Sequence, residues 1–163
     1  MSEVGDVIKA ENARWNFSGE NAAKFTTHIE KSIPGYKEGH ELIEQITDFF
    51  VKKRSRIYDL GCTTGSLSRR IASRHADRDI EVIGVDRESS LIQAAKKNTQ
   101  SSLKKNLEYR IGDILDLKIE ATDVVISYYT LQFIPLNDRK TILKNIWQCL
   151  NPVGAFILFE KIR

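Results

Sequence analysis

The sequence has only two cysteines, one methionine and three prolines in 163 residues. Cys62 and Cys149 are too few for a disulfide framework or a metal cluster, so a reducing, cytoplasmic setting is expected. No apolar run approaches the roughly 18 consecutive residues that a membrane-spanning helix needs. No signal-peptide core is present either, because Glu3, Asp6, Lys9 and Glu11 interrupt the first residues. An excess of one charge is also missing. Lys and Arg number 25 against 22 Asp and Glu, and a net charge of +3 is too weak to argue for direct contact with nucleic acid. The short basic runs Lys52-Lys53-Arg54, Lys96-Lys97 and Lys104-Lys105 read as helix ends or solvated faces. His28, His40 and His75 show no metal-ligand spacing and read as surface residues, so no metal is expected. What is present is 41% hydrophobic residues, enough for one sizeable core and too many for disorder.

Without repeats or linkers, residues 1–163 read as one domain. Residues 1–36 are polar with scattered apolar anchors (Trp15, Phe17, Phe25, Ile29) and suggest a helical N-terminal arm or lid. Pro34-Gly35 suits the two central positions of a type II turn between Ile33 and Tyr36. From Glu38, the spacing of Leu42, Ile43, Ile46, Phe49 and Phe50 predicts an amphipathic helix closed by the basic run 52–54. Short apolar strands are then expected at 56–60, 80–86, 107–111, 123–127 and 155–160. Helices are expected between them at 66–74, at 88–105, and from a cap at Asn137 to Asn151-Pro152, with Ile142, Leu143, Ile146, Trp147 and Leu150 on one face. This alternation means βαβ crossovers and an α/β, Rossmann-like, doubly wound parallel sheet.

In such sheets ligands bind beyond the carboxyl ends of the strands. The first strand runs into Asp59-Leu60-Gly61-Cys62-Thr63-Thr64-Gly65. Gly61 permits a tight turn and close approach of a ligand, and Gly65 lets the next helix pack closely. The second strand ends at Asp86, where a carboxylate can accept from both hydroxyls of a ribose. The third runs into Gly112-Asp113-Ile114, where an acid can accept from an adenine amino group and Ile114 can cover the ring. The loop is neither GxGxxG nor a phosphate loop. Asp59 would repel a pyrophosphate but suits a positively charged ligand, which favours S-adenosylmethionine over a dinucleotide. Each acid also has a plainer reading. Asp59 can cap the next helix, and Asp113 lies in a loop already acidic at Asp116. Cys62 reads as a small loop residue, since no histidine lies nearby in sequence to activate it.

IYDLGCTTG (57–65), GVD (84–86), GDILD (112–116) and NPVG (151–154) resemble the successive motifs of class I S-adenosylmethionine-dependent methyltransferases. SIPGY (32–36), YDLGC (58–62), TLQFI (130–134), LNPVGAFIL (150–158) and EK (160–161) are similar to the carboxy-S-adenosylmethionine synthase branch, from about Trp15 to the last residue. The resemblance implies strand order 3-2-1-4-5. It also implies a reaction in which prephenate donates a carboxyl group to S-adenosylmethionine, for later use in transfer-RNA modification. Carried over, Tyr36 lies near the reacting end of the cofactor, Gly61 and Cys62 line its methionine portion, Asp86 holds the ribose, and Arg87 is a further cofactor-binding residue. Asp113 and Ile114 sit at the adenine.

Three departures stand out. Tyr128 replaces the family's asparagine at the reacting end, and Val153 stands where glycine is usual. The family's later antiparallel strand pair, with its carboxylate-binding arginine, has no counterpart. The resemblance still implies a small-molecule substrate, with a homodimer possible and no membrane or direct nucleic-acid partner. Two further readings stay open: an ordinary small-molecule methyltransferase, and a non-catalytic S-adenosylmethionine-binding fragment or interaction protein. No residue stands out as a general base. Ala155 to Phe159 reads as an edge strand too apolar to face water, so a truncation, a missing segment or a covering partner is expected.

Overall fold

The computed structural model describes residues 33–161, together with residues 10, 11, 14, 15 and 29. Near the N-terminus, β1 (Ala10–Glu11) pairs antiparallel with β2 (Arg14–Trp15). These four residues are extended and Ile29 is helical; the rest of the expected arm, with Phe17, Phe25 and His28, lies outside the described residues. Ile33 to Tyr36 is a turn closed by Tyr36 N–H donating to the Ile33 carbonyl at 3.2 Å, with Gly35 at φ 71°. The core then follows as α1 (Tyr36–Thr47), β3 (Arg56–Leu60), α2 (Ser66–Arg74), β4 (Glu81–Asp86), α3 (Ser89–Lys97), β5 (Leu107–Ile111), β6 (Thr122–Tyr128), α4 (Leu136–Cys149) and β7 (Leu150–Phe159).

The five long strands form one parallel sheet in the order β5-β4-β3-β6-β7, which is 3-2-1-4-5 counted along the core. Side chains alternate across it, as the two-residue strand period requires. Ile57, Val82, Val124 and Ile126 pack on one face with Ile43 of α1, Ile71 of α2 and Ile92 of α3. Tyr58, Leu60, Ile83, Val85 and Val125 pack on the other with Ile142 and Ile146 of α4. Each fully buried aliphatic side chain contributes roughly 1.5–3 kcal/mol, so these two layers carry the fold. Two paired contacts fix α1 on α2: Arg70 grips the Glu44 carboxylate at 2.6 and 3.0 Å, and Arg74 grips Asp48 one turn later.

Several boundaries differ from expectation. The first core helix ends at Thr47 with no basic residue in its last turn, so the run 52–54 does not complement its dipole. The expected helix 88–105 stops at Lys97, and only a single 3₁₀ turn, Ser101–Leu103, follows before β5. Asn137 does not cap α4; Pro135 precedes the first helical residue, and no side chain bonds there. On that helix Ile142 and Ile146 are buried, but Leu143 is exposed and Trp147 is 76% exposed. The last strand begins at Leu150, with an irregularity where Val124 meets Ala155 after Thr122 has met Leu150. Within that excursion Val153 has φ 69°, a left-handed conformation that strains a β-branched residue, and this is the physical reason a glycine suits the position. No helix among the described residues is long and apolar enough to cross a membrane.

Candidate cofactor site

The alternation that buries Ile57 and Val82 also places Asp59 and Asp86 on the α1–α3 face, at the carboxyl ends of neighbouring central strands. Asp59 is 2% exposed, and the Ser68 hydroxyl of α2 donates to its Oδ2 at 2.5 Å. Burial pushes its carboxyl up to about 6; the Ser68 bond opposes that shift and the nearby Asp86 charge adds to it. Asp86 is also raised by burial, opposed by two backbone amides. Thr63 N–H donates to its Oδ2 at 3.0 Å, and Glu88 N–H to its Oδ1 at 2.9 Å. One lone pair on each oxygen therefore shapes the loop, and the other is left for a ligand. Among the described residues, no cationic side chain pairs with either acid.

The loop between them is anchored by its own backbone. Gly61 and Cys62 N–H both donate to the Val85 carbonyl, at 2.8 and 3.0 Å. Gly61 has φ 77°, and a Cβ there would strike the Thr130 side chain, so the position needs glycine on both counts. Gly65 immediately precedes α2, but the space above it is filled by the Tyr109 ring rather than by closer helix packing. That ring also covers Gly84. Its hydroxyl donates to the Gly65 carbonyl at 3.3 Å, and burial pushes its phenol up to about 12. The Cys62 thiol is raised by burial and by both acids, so it is held protonated and is no nucleophile.

The remaining expected residues divide into two groups. Asp113 accepts from Leu115 N–H at 2.9 Å, a local turn that presents the loop after β5, and Ile114 is buried beneath it. Arg87 is largely exposed, with its guanidinium 3.5 Å from the neighbouring Glu88 carboxylate. Tyr36 and Tyr128 lie together at the end of β6, their ring centroids 5.1 Å apart, and Tyr128 donates its hydroxyl to the Tyr36 carbonyl at 2.8 Å. Burial pushes the Tyr128 phenol up, so it remains a donor.

Sequence reasoning missed Ser68, Tyr109 and Thr130, which act through contacts distant in the chain. It also misplaced two histidines. His40 is buried, 4.6 Å from the Tyr36 ring and 4.8 Å from the Tyr128 ring. His75 is fully buried, with Nε2 2.8 Å from the Thr47 hydroxyl. No cluster of metal-ligating side chains occurs among the described residues. Phe133 is half exposed. A surface depression of about 370 Å³ lies at the opposite, amino-terminal end of β6, between Leu117–Ala121 and the end of α4, away from these acids.

A methyltransferase-domain family model matches residues 51–161. The carboxy-S-adenosyl-L-methionine synthase of Staphylococcus epidermidis is 37% identical over 150 residues, covering 91% of this chain and 64% of that protein. The synthase of a Shewanella species (strain ANA-3) is 35% identical over 168 residues, covering all of this chain and 69% of that protein. This chain therefore spans about two thirds of the length of these relatives. Among solved structures, a Methanococcus maripaludis protein assigned to the S-adenosyl-L-methionine-dependent methyltransferases superposes with a TM-score of 0.69 at 22% identity, covering 91% of this chain and 65% of that one. The complex of DhpI with SAM superposes with a TM-score of 0.62 at 17% identity, covering 83% and 58%. At such identities these two structures establish the fold.

Proposed function

The chain belongs to the methyltransferase-domain family, on the branch of the carboxy-S-adenosyl-L-methionine synthases, and from that premise we propose that it binds S-adenosylmethionine at the ends of β3, β4 and β5 and transfers a group to or from it. The observation that carries this reading is the pair of buried acids, Asp59 and Asp86, neither of which forms an ion pair with a cationic side chain among the described residues. Desolvated carboxylates are costly without a partner, and an amino-acid ammonium and a ribose diol are complementary to them. When bound, S-adenosylmethionine supplies an activated methyl group on a sulfonium.

The chain's own residues bind and orient it. Asp86 accepts from the ribose hydroxyls with the lone pairs left by Thr63 and Glu88. Gly61 and Cys62 line the methionine portion, with Asp59 holding the positive end. Asp113 accepts from the adenine and Ile114 covers it, while Arg87 stands at the rim beside Asp86. Gly65, at φ 70°, turns the loop into α2 at the cofactor site. Tyr36 and Tyr128 close the reacting end. With no general base evident, the rate rests on alignment of donor and acceptor.

The acceptor chemistry follows the branch: prephenate is the carboxyl donor, and the product is carboxy-S-adenosylmethionine. A homodimer is part of the same reading. Incubating the full chain with S-adenosylmethionine and prephenate, then weighing the cofactor by mass spectrometry, tests it. The expected product is heavier by one CO2, because a carboxyl group replaces a hydrogen of the methyl group; an unchanged cofactor contradicts carboxyl transfer. One observation favours a second reading, methyl transfer to a small molecule. The Tyr128 hydroxyl is engaged with the Tyr36 carbonyl, so the reacting end presents rings where the branch has an amide. S-adenosylhomocysteine release with a small acceptor would then replace the carboxylated product.

A further inference from the structure

Tyr128 sits at the centre of an aromatic group that joins three elements. Its ring centroid lies 5.1 Å from Tyr36 and 4.8 Å from His40 on α1, 4.8 Å from Tyr129, and 5.3 Å from Phe159 on β7. The hydroxyl at its tip bonds the backbone carbonyl of Tyr36 and not its side chain. Gly39 makes the approach possible, because a Cβ on it would strike that hydroxyl and the ring carbons beside it. One turn of α1 is thus shaped around a single side chain from the end of β6. Tyr36 is the first residue of that helix and follows the Ile33–Gly35 turn directly.

We propose that Tyr128 is a positioning residue, a bolt that holds the Tyr36 backbone and thereby the Tyr36 ring against the cofactor site. This rests on the cofactor reading above. The bolt acts through Tyr36, so the Tyr128 hydroxyl has no value when the Tyr36 ring is gone. A role in general packing, or a direct contact with the cofactor, would keep its value in both backgrounds.

A double-mutant cycle on the full chain separates these cases. The probe is S-adenosylhomocysteine, titrated calorimetrically against the wild type, Tyr128→Phe, Tyr36→Ala and the double variant, with melting curves for each. Tyr128→Phe is expected to weaken binding about threefold to tenfold in the wild type, the range one hydrogen bond spans, and to change nothing in the Tyr36→Ala background. Equal losses in both backgrounds, or no loss in either, would overturn the bolt and leave the cofactor reading standing. Failure of the wild type to bind the probe at all would overturn both. A second pair guards against misfolding. Gly39→Ala is expected to weaken binding by displacing the Tyr128 hydroxyl, and adding Tyr128→Phe to it should cost nothing further. If Gly39→Ala binds as the wild type does, the close approach does not matter and the bolt is wrong.

Discussion

At the ends of β3 and β4 the chain closes into a loop held by paired backbone bonds around two buried carboxylates, whereas at β6 and β7 it ends in packed rings, a strained valine and exposed apolar side chains. In the first region Ile57, Leu60, Val82 and Val85 are fully buried, and Asp59 and Asp86 are nearly so. In the second, β7 pairs only with β6 among the described residues, and Leu158, Leu143 and Trp147 face outward. Asp59 destabilises the fold where it stands, since its carboxyl is buried without a counter-charge among the described residues. The exposed side chains of the second region cost the fold little and contribute little. Polar strain is thus concentrated where a ligand can relieve it, and apolar exposure lies along the sheet edge.

If that contrast is right, substitutions in the loop should matter most. Gly61→Ala, which meets both a positive φ and the Thr130 side chain, is expected to lower stability by about 2–3 kcal/mol in urea melts, and to abolish cofactor binding. Asp59→Asn should act in opposite directions on stability and binding. The folded carboxyl titrates at about 6 against an ordinary 3.8, so the folded state holds an extra proton between those values and loses stability as pH rises through that window. The asparagine variant should therefore be more stable than the wild type at pH 7, by about 1–3 kcal/mol, with a flatter stability profile between pH 4 and 6. It should also bind S-adenosylmethionine more weakly; a less stable variant would contradict the desolvation argument.

On the edge side the effects shrink. Val153→Gly should relieve the φ 69° conformation and add about 0.5–1 kcal/mol after the entropy of glycine is subtracted, without altering cofactor affinity. Trp147→Ser should change unfolding free energy by less than about 0.5 kcal/mol, because the ring is already mostly in water. A large loss for Trp147→Ser would mean that the edge is packed in solution and the contrast is misdrawn.

The sheet was largely legible in the sequence because fully buried parallel strands read as unbroken apolar runs, and β3, β4, β5 and β6 fall within a residue of their expected ends. Helix limits were less so. Lys104 and Lys105 continue the polar–apolar rhythm of α3, but Thr99 turns its hydroxyl back to the Ala95 carbonyl and the chain tightens into a 3₁₀ turn. The burial of His40 and His75 could not be read locally, since it depends on rings and a threonine far along the chain. The placement of Asp59 and Asp86 at the strand ends was legible from their position in apolar strands. Their supports were not: Ser68 under Asp59 and Tyr109 over Gly65 are fixed by register between strands and by helix docking, which no local pattern carries.

The central claim is that the sheet end is a cofactor site built on Asp86 and its neighbour. Calorimetric titration of S-adenosylhomocysteine into the wild type and Asp86→Asn, both checked for folding by their melting curves, tests it most directly. The account predicts saturable one-to-one binding by the wild type and at least a tenfold loss in the variant. Equal affinities, or no binding by the folded wild type, would contradict it.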